Sequence, residues 1–348
     1  MSATAFAADL ARYGPSPYGA GGAASTTPSL EFSRAYCRRL GRTHYENFAV
    51  ASWLLPRVLR PHFYHIYAYC RWADDLADET GDRGRSLELL DWWEGELRAC
   101  YAGEARHPVF VALGDTIREF AIPSEPFLDL LAAFRQDQRV CRYETFDELL
   151  GYCRNSANPV GRLVLHLGRS HDDARGELSD AVCTGLQLAN FWQDVANDWN
   201  RGRLYLPLAD CRRFGYNEEV LDRHAATPEF RRLLAFEVER AEAYLRNGLP
   251  LVDQVPRVLG SDVWLFIHGG LKILKRIRAI DYDVWTKRPK VSRTDQAGLL
   301  AGCVWRKMSF VPRHLLRKGE QSMTKDQRPK TKYQIPNTED QKPMTDDQ

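Results

Sequence analysis

The sequence predicts an all-α fold in a single domain. Three observations carry this prediction. Long segments repeat apolar residues at the helical period. Alternating strand patterns are almost absent, and no βα rhythm or internal repeat appears. Proline and glycine gather between the periodic segments, as in Ile122-Pro123-Ser124 and Arg201-Gly202-Arg203.

Taken in order, helices are predicted over 60–78, 87–101, 127–138, 152–167, 179–199, 228–247 and 259–280. The first is signalled by Pro61, which suits the opening turn of a helix. The fourth contains Asn158-Pro159. An interior proline loses one backbone hydrogen bond and crowds the preceding turn, so a kink is expected beside Val160 and Gly161. Residues 1–29 are rich in Ala, Gly, Ser, Thr and Pro and read as a flexible N-terminal segment. Residues 318–348 are polar and nearly free of aliphatic side chains. They bury too little to offset their ordering entropy and read as a disordered tail. The folded body is therefore expected over 30–317.

Composition narrows the function classes. Of 348 residues, 44% are hydrophobic and 27% charged, which fits a soluble globular protein. A formal net charge of +2 implies no nucleic acid or other polyelectrolyte partner. The eight cysteines form no CxxC pair and no Cys/His group with zinc spacing, so they are expected to be reduced core thiols. No run of 18 apolar residues is long enough to span a membrane, and no secretory leader is evident. A cytoplasmic location is the expectation.

Two constellations suggest chemistry. The first is Arg71-Trp72-Ala73-Asp74-Asp75-Leu76-Ala77-Asp78. Asp74 and Asp78 are one helical turn apart on one face, where like charges repel. A divalent cation such as Mg²⁺ would relieve that repulsion while keeping coordination positions for water and phosphate. Tyr67 and Arg71 share the face. A solvated acidic helix end is the plainer reading of this motif alone. The second is Gln187, Asn190, Asp194 and Asp198, a polar stripe on an otherwise apolar helix. Such a stripe is costly to bury unless it is paired or bound to metal, although a structural hydrogen-bond network would also account for it. Two acidic helices facing one cavity could hold Mg²⁺ against a diphosphate leaving group. Arg201 and Arg203 follow directly and could clamp phosphate oxygens, or lie in a surface turn.

The pairing of Asp74-Asp75-Leu76-Ala77-Asp78 with Asn190-x-x-x-Asp194-x-x-x-Asp198 resembles the squalene/phytoene synthase family, and so does the following Arg201-Gly202-Arg203-Leu204-Tyr205-Leu206-Pro207. Within that family, three segments look like the bacterial hydroxysqualene synthases of hopanoid biosynthesis. They are Glu46 to Pro56, Ser156-Ala157-Asn158-Pro159-Val160-Gly161-Arg162-Leu163 and Asn190-Phe191-Trp192-Gln193-Asp194-Val195. The resemblance implies an isoprenoid synthase helical fold with a central cavity and a prenyl diphosphate substrate. It implies Mg²⁺ on Asp74, Asp78, Asn190, Asp194 and Asp198. Arg71 and Arg203 would meet diphosphate, and Tyr152 falls where the family has a tyrosine implicated in the chemistry. Tyr67, Val160, Gly161 and Gln187 would line the cavity, with Phe48 and Phe191 as further aromatic candidates. Lys287 and Arg288 fall near a basic residue that helps cover the site.

Two departures stand out. Tyr45 and Asn47 occupy places where many members carry a Ser-x-Ser pair, and Gln193 replaces an arginine. Both changes remove phosphate contacts, which favours a single-diphosphate substrate such as presqualene diphosphate over two allylic diphosphates. The expected reaction is ionisation and water capture to hydroxysqualene. Tyr152, Asn155, Gln187 and Gln193 are the candidates to hold the water. Rival readings are a presqualene diphosphate, squalene or phytoene synthase, a prenyl elongase or terpene cyclase, and an inactive helical scaffold. So apolar a substrate implies transient contact with a membrane surface.

Overall fold

The computed structural model describes residues 3–15, 27–43, 57–216 and 224–308. Among them the regular structure is helical, with one isolated bridge between Arg142 and Leu204. The helices are α1 (Ala3–Tyr13), α2 (Leu30–Thr43), α3 (Arg60–Asp78), α4 (Arg83–Tyr101), α5 (Pro108–Phe120), α6 (Glu125–Asp137) and α7 (Phe146–Ser156). They continue with α8 (Asn158–Leu167), α9 (Asp173–Asn200), α10 (Leu208–Arg213), α11 (Pro228–Asn247), α12 (Leu251–Gln254), α13 (Arg257–Ala279) and α14 (Arg293–Met308).

Local chemistry explains the boundaries. Pro61 sits in the first turn of α3, where its missing N–H costs nothing. Asp172 caps α9 by accepting a 2.8 Å hydrogen bond from the Arg175 amide, and Thr227 caps α11 in the same way through Phe230. The predicted helix 152–167 is two helices. Helix α7 stops at Ser156 and α8 starts at Asn158, with Ala157 at φ −117° and ψ −47° between them. Pro159 explains the break, since it cannot donate into the preceding turn. Buried Asn158 then accepts a 2.9 Å bond from the Thr184 hydroxyl, tying the junction to α9.

The expectation of a flexible segment over 1–29 is corrected for its first part. Residues 3–13 form α1, with Phe6 and Leu10 buried one turn apart. Phe6 meets the Trp72 ring edge-on at 5.5 Å. Its composition hid this helix, because two large apolar residues suffice to dock it. The tail over 318–348 lies outside the described residues.

The core forms two contiguous clusters. One joins α1–α6 with Leu163 and Leu167 of α8, around Trp72, Trp93, Phe110 and Phe127. The other joins α7, α9, α11 and α13, around Trp192, Phe230, Leu234 and Ile267. A cavity of about 330 Å³ runs along their seam, walled by Phe63 on one side and by Val182 and Val263 on the other.

Candidate active site

Helix α3 supplies the first acidic cluster at its C-terminal end. Arg71 is bound there within its own helix. Its guanidinium lies 3.0 Å from Asp74, and its Nε donates to Asp75 at 3.2 Å. Asp75 is fully buried, so it serves as the anchor of Arg71. Arg71, expected to contact diphosphate, thus also aligns Asp74. The Asp74 carboxyl is pushed up to about 6 by desolvation in the cleft and by Asp78 and Asp75, against the pull of Arg71. Tyr67 stands a turn earlier on this face, and burial raises its phenol.

Helix α9 supplies the second cluster. Its backbone leaves helical geometry at Asp194, with φ −109° and ψ 15°. The stripe opens to the cleft instead of facing the core: Asn190 is exposed, and Asp194 and Asp198 are half-buried. Desolvation and Asp194 raise the Asp198 carboxyl to about 6, opposed by Arg201, Arg203 and Arg288. Asp194 accepts from Asn197 at 2.8 Å and from the Arg288 guanidinium at 2.9 Å.

Arg203 bridges the clusters. The turn after α9 requires Gly202 at φ +77°, a left-handed conformation. The amides of Arg201 and Arg203 then donate to the Asp198 carbonyl at 3.0 and 2.8 Å. The Arg203 guanidinium reaches to 3.9 Å from Asp78 on the opposite helix, and its charge also acts on Asp198.

Sequence reasoning missed Asp137, at the end of α6. Its carboxylate accepts a 3.1 Å bond from the Tyr152 hydroxyl. Desolvation raises it to about 6, with Arg203 and Tyr152 opposing and Asp78 and Asp74 reinforcing. Buried Gln138 donates to the Ala77 carbonyl at 3.1 Å and so fixes Asp137 beside α3. A lone Asp at a helix end carries no spacing signal that could have found it. Tyr152 itself is buried in an aromatic wall, 6.2 Å from Phe191 and 5.9 Å from Tyr205, whose rings stack at 3.8 Å.

Val160, Gly161 and Gln187 line the seam cavity; Tyr67 and Phe191, expected with them, do not. Gln187 lies seven residues before Asp194, so the cavity begins about 10 Å from Asp194 along α9. Gln193 does not line it; its amide donates to the Pro289 carbonyl at 2.6 Å. That bond holds the loop bringing Arg288 to Asp194. Lys287 is exposed beside it, and Arg288 is the residue that reaches the cluster. Tyr45, Asn47 and Phe48 lie outside the described residues.

The donor chemistry suits Mg²⁺. Among the described residues no three His, Cys, Asp or Glu side chains form a complete metal-binding group. Mg²⁺ seldom uses such a cage; it binds one or two carboxylates and completes its shell with water and substrate phosphate. Asp74, Asp75, Asp78, Asp137, Asp194 and Asp198 outnumber Arg71, Arg201, Arg203 and Arg288 here, and three of these acids are raised by crowding and desolvation. The site carries surplus negative charge that a divalent cation would offset.

An all-helical bundle with two aspartate-bearing helices bridged by an arginine, and an apolar cavity further along the second of them, defines the isoprenoid synthase class. The chain belongs to the squalene/phytoene synthase family, whose sequence model matches residues 42–295. It is 38% identical over 247 residues to the hydroxysqualene synthase of Rhodopseudomonas palustris, covering 70% of this chain and 83% of that protein. It is 31% identical over 294 residues to the phytoene synthase of Arthrospira platensis, covering 81% and 92%. Among solved structures, squalene synthase HpnC from Alicyclobacillus acidocaldarius aligns at a TM-score of 0.70 with 48% identity, over 73% of this chain and 95% of that one. A dehydrosqualene synthase in complex with ligand aligns at a TM-score of 0.72 with 25% identity, over 81% and 98%.

Proposed function

We propose that this chain ionises presqualene diphosphate with Mg²⁺ and directs water to the resulting cation, giving hydroxysqualene and diphosphate. The observation that carries the reading is the pair of aspartate helices bridged by Arg203, with an apolar cavity that begins at Gln187, about 10 Å along α9 from Asp194. Asp74 and Asp78 on one side, with Asn190, Asp194 and Asp198 on the other, would hold the metal. Mg²⁺ bound there supplies Lewis-acid stabilisation of the leaving diphosphate. Arg203, and Arg71 when its carboxylates turn to metal, supply charge-assisted hydrogen bonds to phosphate oxygens. The carbon–oxygen bond breaks with its electron pair leaving on diphosphate. The cation then rearranges in the apolar cavity lined by Phe63, Val160 and Gln187. Water forms the new carbon–oxygen bond and releases a proton.

The contacts of the four candidates support one of them as the water-holding residue. The Tyr152 hydroxyl is engaged by Asp137, and Gln193 by Pro289. Gln187 lines the cavity and Asn155 does not, so Gln187 is the favoured candidate. The likeness to the R. palustris hydroxysqualene synthase supports this product. The test is the purified protein with Mg²⁺ and presqualene diphosphate in ¹⁸O-labelled water, with and without NADPH. Labelled hydroxysqualene at a rate indifferent to NADPH is expected. Squalene formed only with NADPH, or an unlabelled alcohol, would overturn it.

A second reading is head-to-head condensation of two prenyl diphosphates, which the phytoene synthase relatives favour. Consumption of farnesyl or geranylgeranyl diphosphate alone, with a cyclopropyl product, would establish it. Among the described residues no helix is long and apolar enough to cross a membrane. For so apolar a substrate, transient contact with a membrane surface is part of the proposal.

A further inference from the structure

The seam cavity does not end in solid core. A second pocket of about 320 Å³ lies beyond it, between Leu59, Phe120, Leu167 and Arg169. The two share Phe63, Val164, Leu259 and Asp262 in their walls. Three of these are apolar. The fourth is a carboxylate only 2% exposed, set in a wall otherwise suited to hydrocarbon. Its placement marks a depth. Ser179 lines the same cavity fifteen residues before Asp194, so the cavity reaches about 22 Å from the second aspartate cluster along α9. The outer pocket differs in character. Glu119 and Arg169 line it, and exposed Val58 and Val258 stand at its rim.

Resting on the proposed function, we propose that Phe63 and Asp262 form the floor of the hydrocarbon site and set the length of prenyl chain it accepts. A chain ending above them lies mostly against apolar side chains. A longer one must push past the Phe63 ring and lay its methyl groups on the Asp262 carboxylate. That contact strips polar atoms of favourable surroundings without replacing them. The outer pocket is large enough to take extra carbons, so the barrier is the partition and not lack of space.

The test compares presqualene diphosphate with its homologue built from two C20 chains, reading the ratio of kcat/KM for long over short substrate. Phe63→Ala and Asp262→Val are each expected to raise this ratio at least about tenfold, the scale of pocket discrimination per methylene or more. Asp262→Asn keeps size and polarity and should leave the ratio within about twofold of wild type. A ratio unchanged in both Phe63→Ala and Asp262→Val overturns the floor. Should either variant unfold, Phe63→Leu tests the same wall with a smaller perturbation. An inert wild type would refute the reaction proposed above. The floor is then read from binding of farnesyl and geranylgeranyl thiolodiphosphates, where the same shift in preference is required.

Discussion

Gly161 is where helix contact and cavity shape meet. A Cβ added there would stand 2.3 Å from the Ser179 hydroxyl oxygen and 2.5 Å from the Cys183 sulfur. Ordinary contact is about 3.5–4.0 Å, so Gly161→Ala forces α8 and α9 apart by roughly 1 Å or rotates two short side chains. Overpacking of this kind costs about 1–3 kcal/mol. Alanine recovers about 0.5–1 kcal/mol through helix propensity, so the net loss is roughly 1–2 kcal/mol. At about 2–4 °C per kcal/mol for a chain near this size, the melting temperature should fall by about 2–8 °C. Turnover should also fall, because the methyl group enters the wall beside the substrate cavity. Thermal unfolding and kcat/KM read both effects. The sign should reverse in the background Ser179→Ala with Cys183→Ala, where the Oγ and Sγ are gone and alanine at 161 becomes stabilising. A rise in melting temperature for Gly161→Ala alone would refute the close α8–α9 approach.

Two further outcomes follow. Asp78→Asn and Asp194→Asn should each reduce turnover by more than the roughly ten- to hundredfold typical of residues that only support a metal ligand, with folding retained. Near-wild-type activity in both, across Mg²⁺ concentrations, would exclude the two-cluster site. His107 is buried among Trp72, Trp93 and Phe110, and desolvation lowers it to about 3. The folded state therefore resists the proton that the unfolded chain accepts near 6.5. Its stabilising share is full above that pH and is lost as pH falls towards 3, with a slope of about 1.4 kcal/mol per pH unit. His107→Asn keeps a capping acceptor and should flatten urea unfolding midpoints between pH 7 and 5; an unchanged slope would sink the assignment. His65, also held to about 3, supplies a similar residual slope.

Spacing made some of this molecule legible and left the rest hidden. The helices over 60–78 and 228–247 coincide with α3 and α11, because both start at proline and keep an apolar stripe to the end. The two aspartate motifs are equally local: residues four apart on one helix must share a face. By contrast, α1 was hidden because its period is only Phe6 and Leu10 in small residues. Helices α2, α5 and α14 were not assigned from the sequence either. Asp137 and the Asp194 distortion are tertiary facts. One depends on the Gln138 tether between α6 and α3, and the other on a backbone angle inside an uninterrupted helical pattern.

The replacement of arginine by Gln193 was read from the sequence as lost phosphate-side charge. The structure shows what accompanies that loss. The Gln193 amide holds Pro289, and the adjoining Arg288 pairs with Asp194, so positive charge returns from a loop. The same arrangement recurs around the cleft. Arg71 pairs with Asp74, Arg203 approaches Asp78, and Arg288 pairs with Asp194. Three of the four carboxylates assigned to metal thus already have a guanidinium beside them. On the proposed function, arrival of Mg²⁺ and diphosphate exchanges these pairs for two new kinds, carboxylate with metal and guanidinium with phosphate. Charge is conserved locally in that exchange, so little desolvation is added when the site fills. A substrate bringing metal and phosphate together is favoured over either alone, because only then do both halves of every pair find a partner.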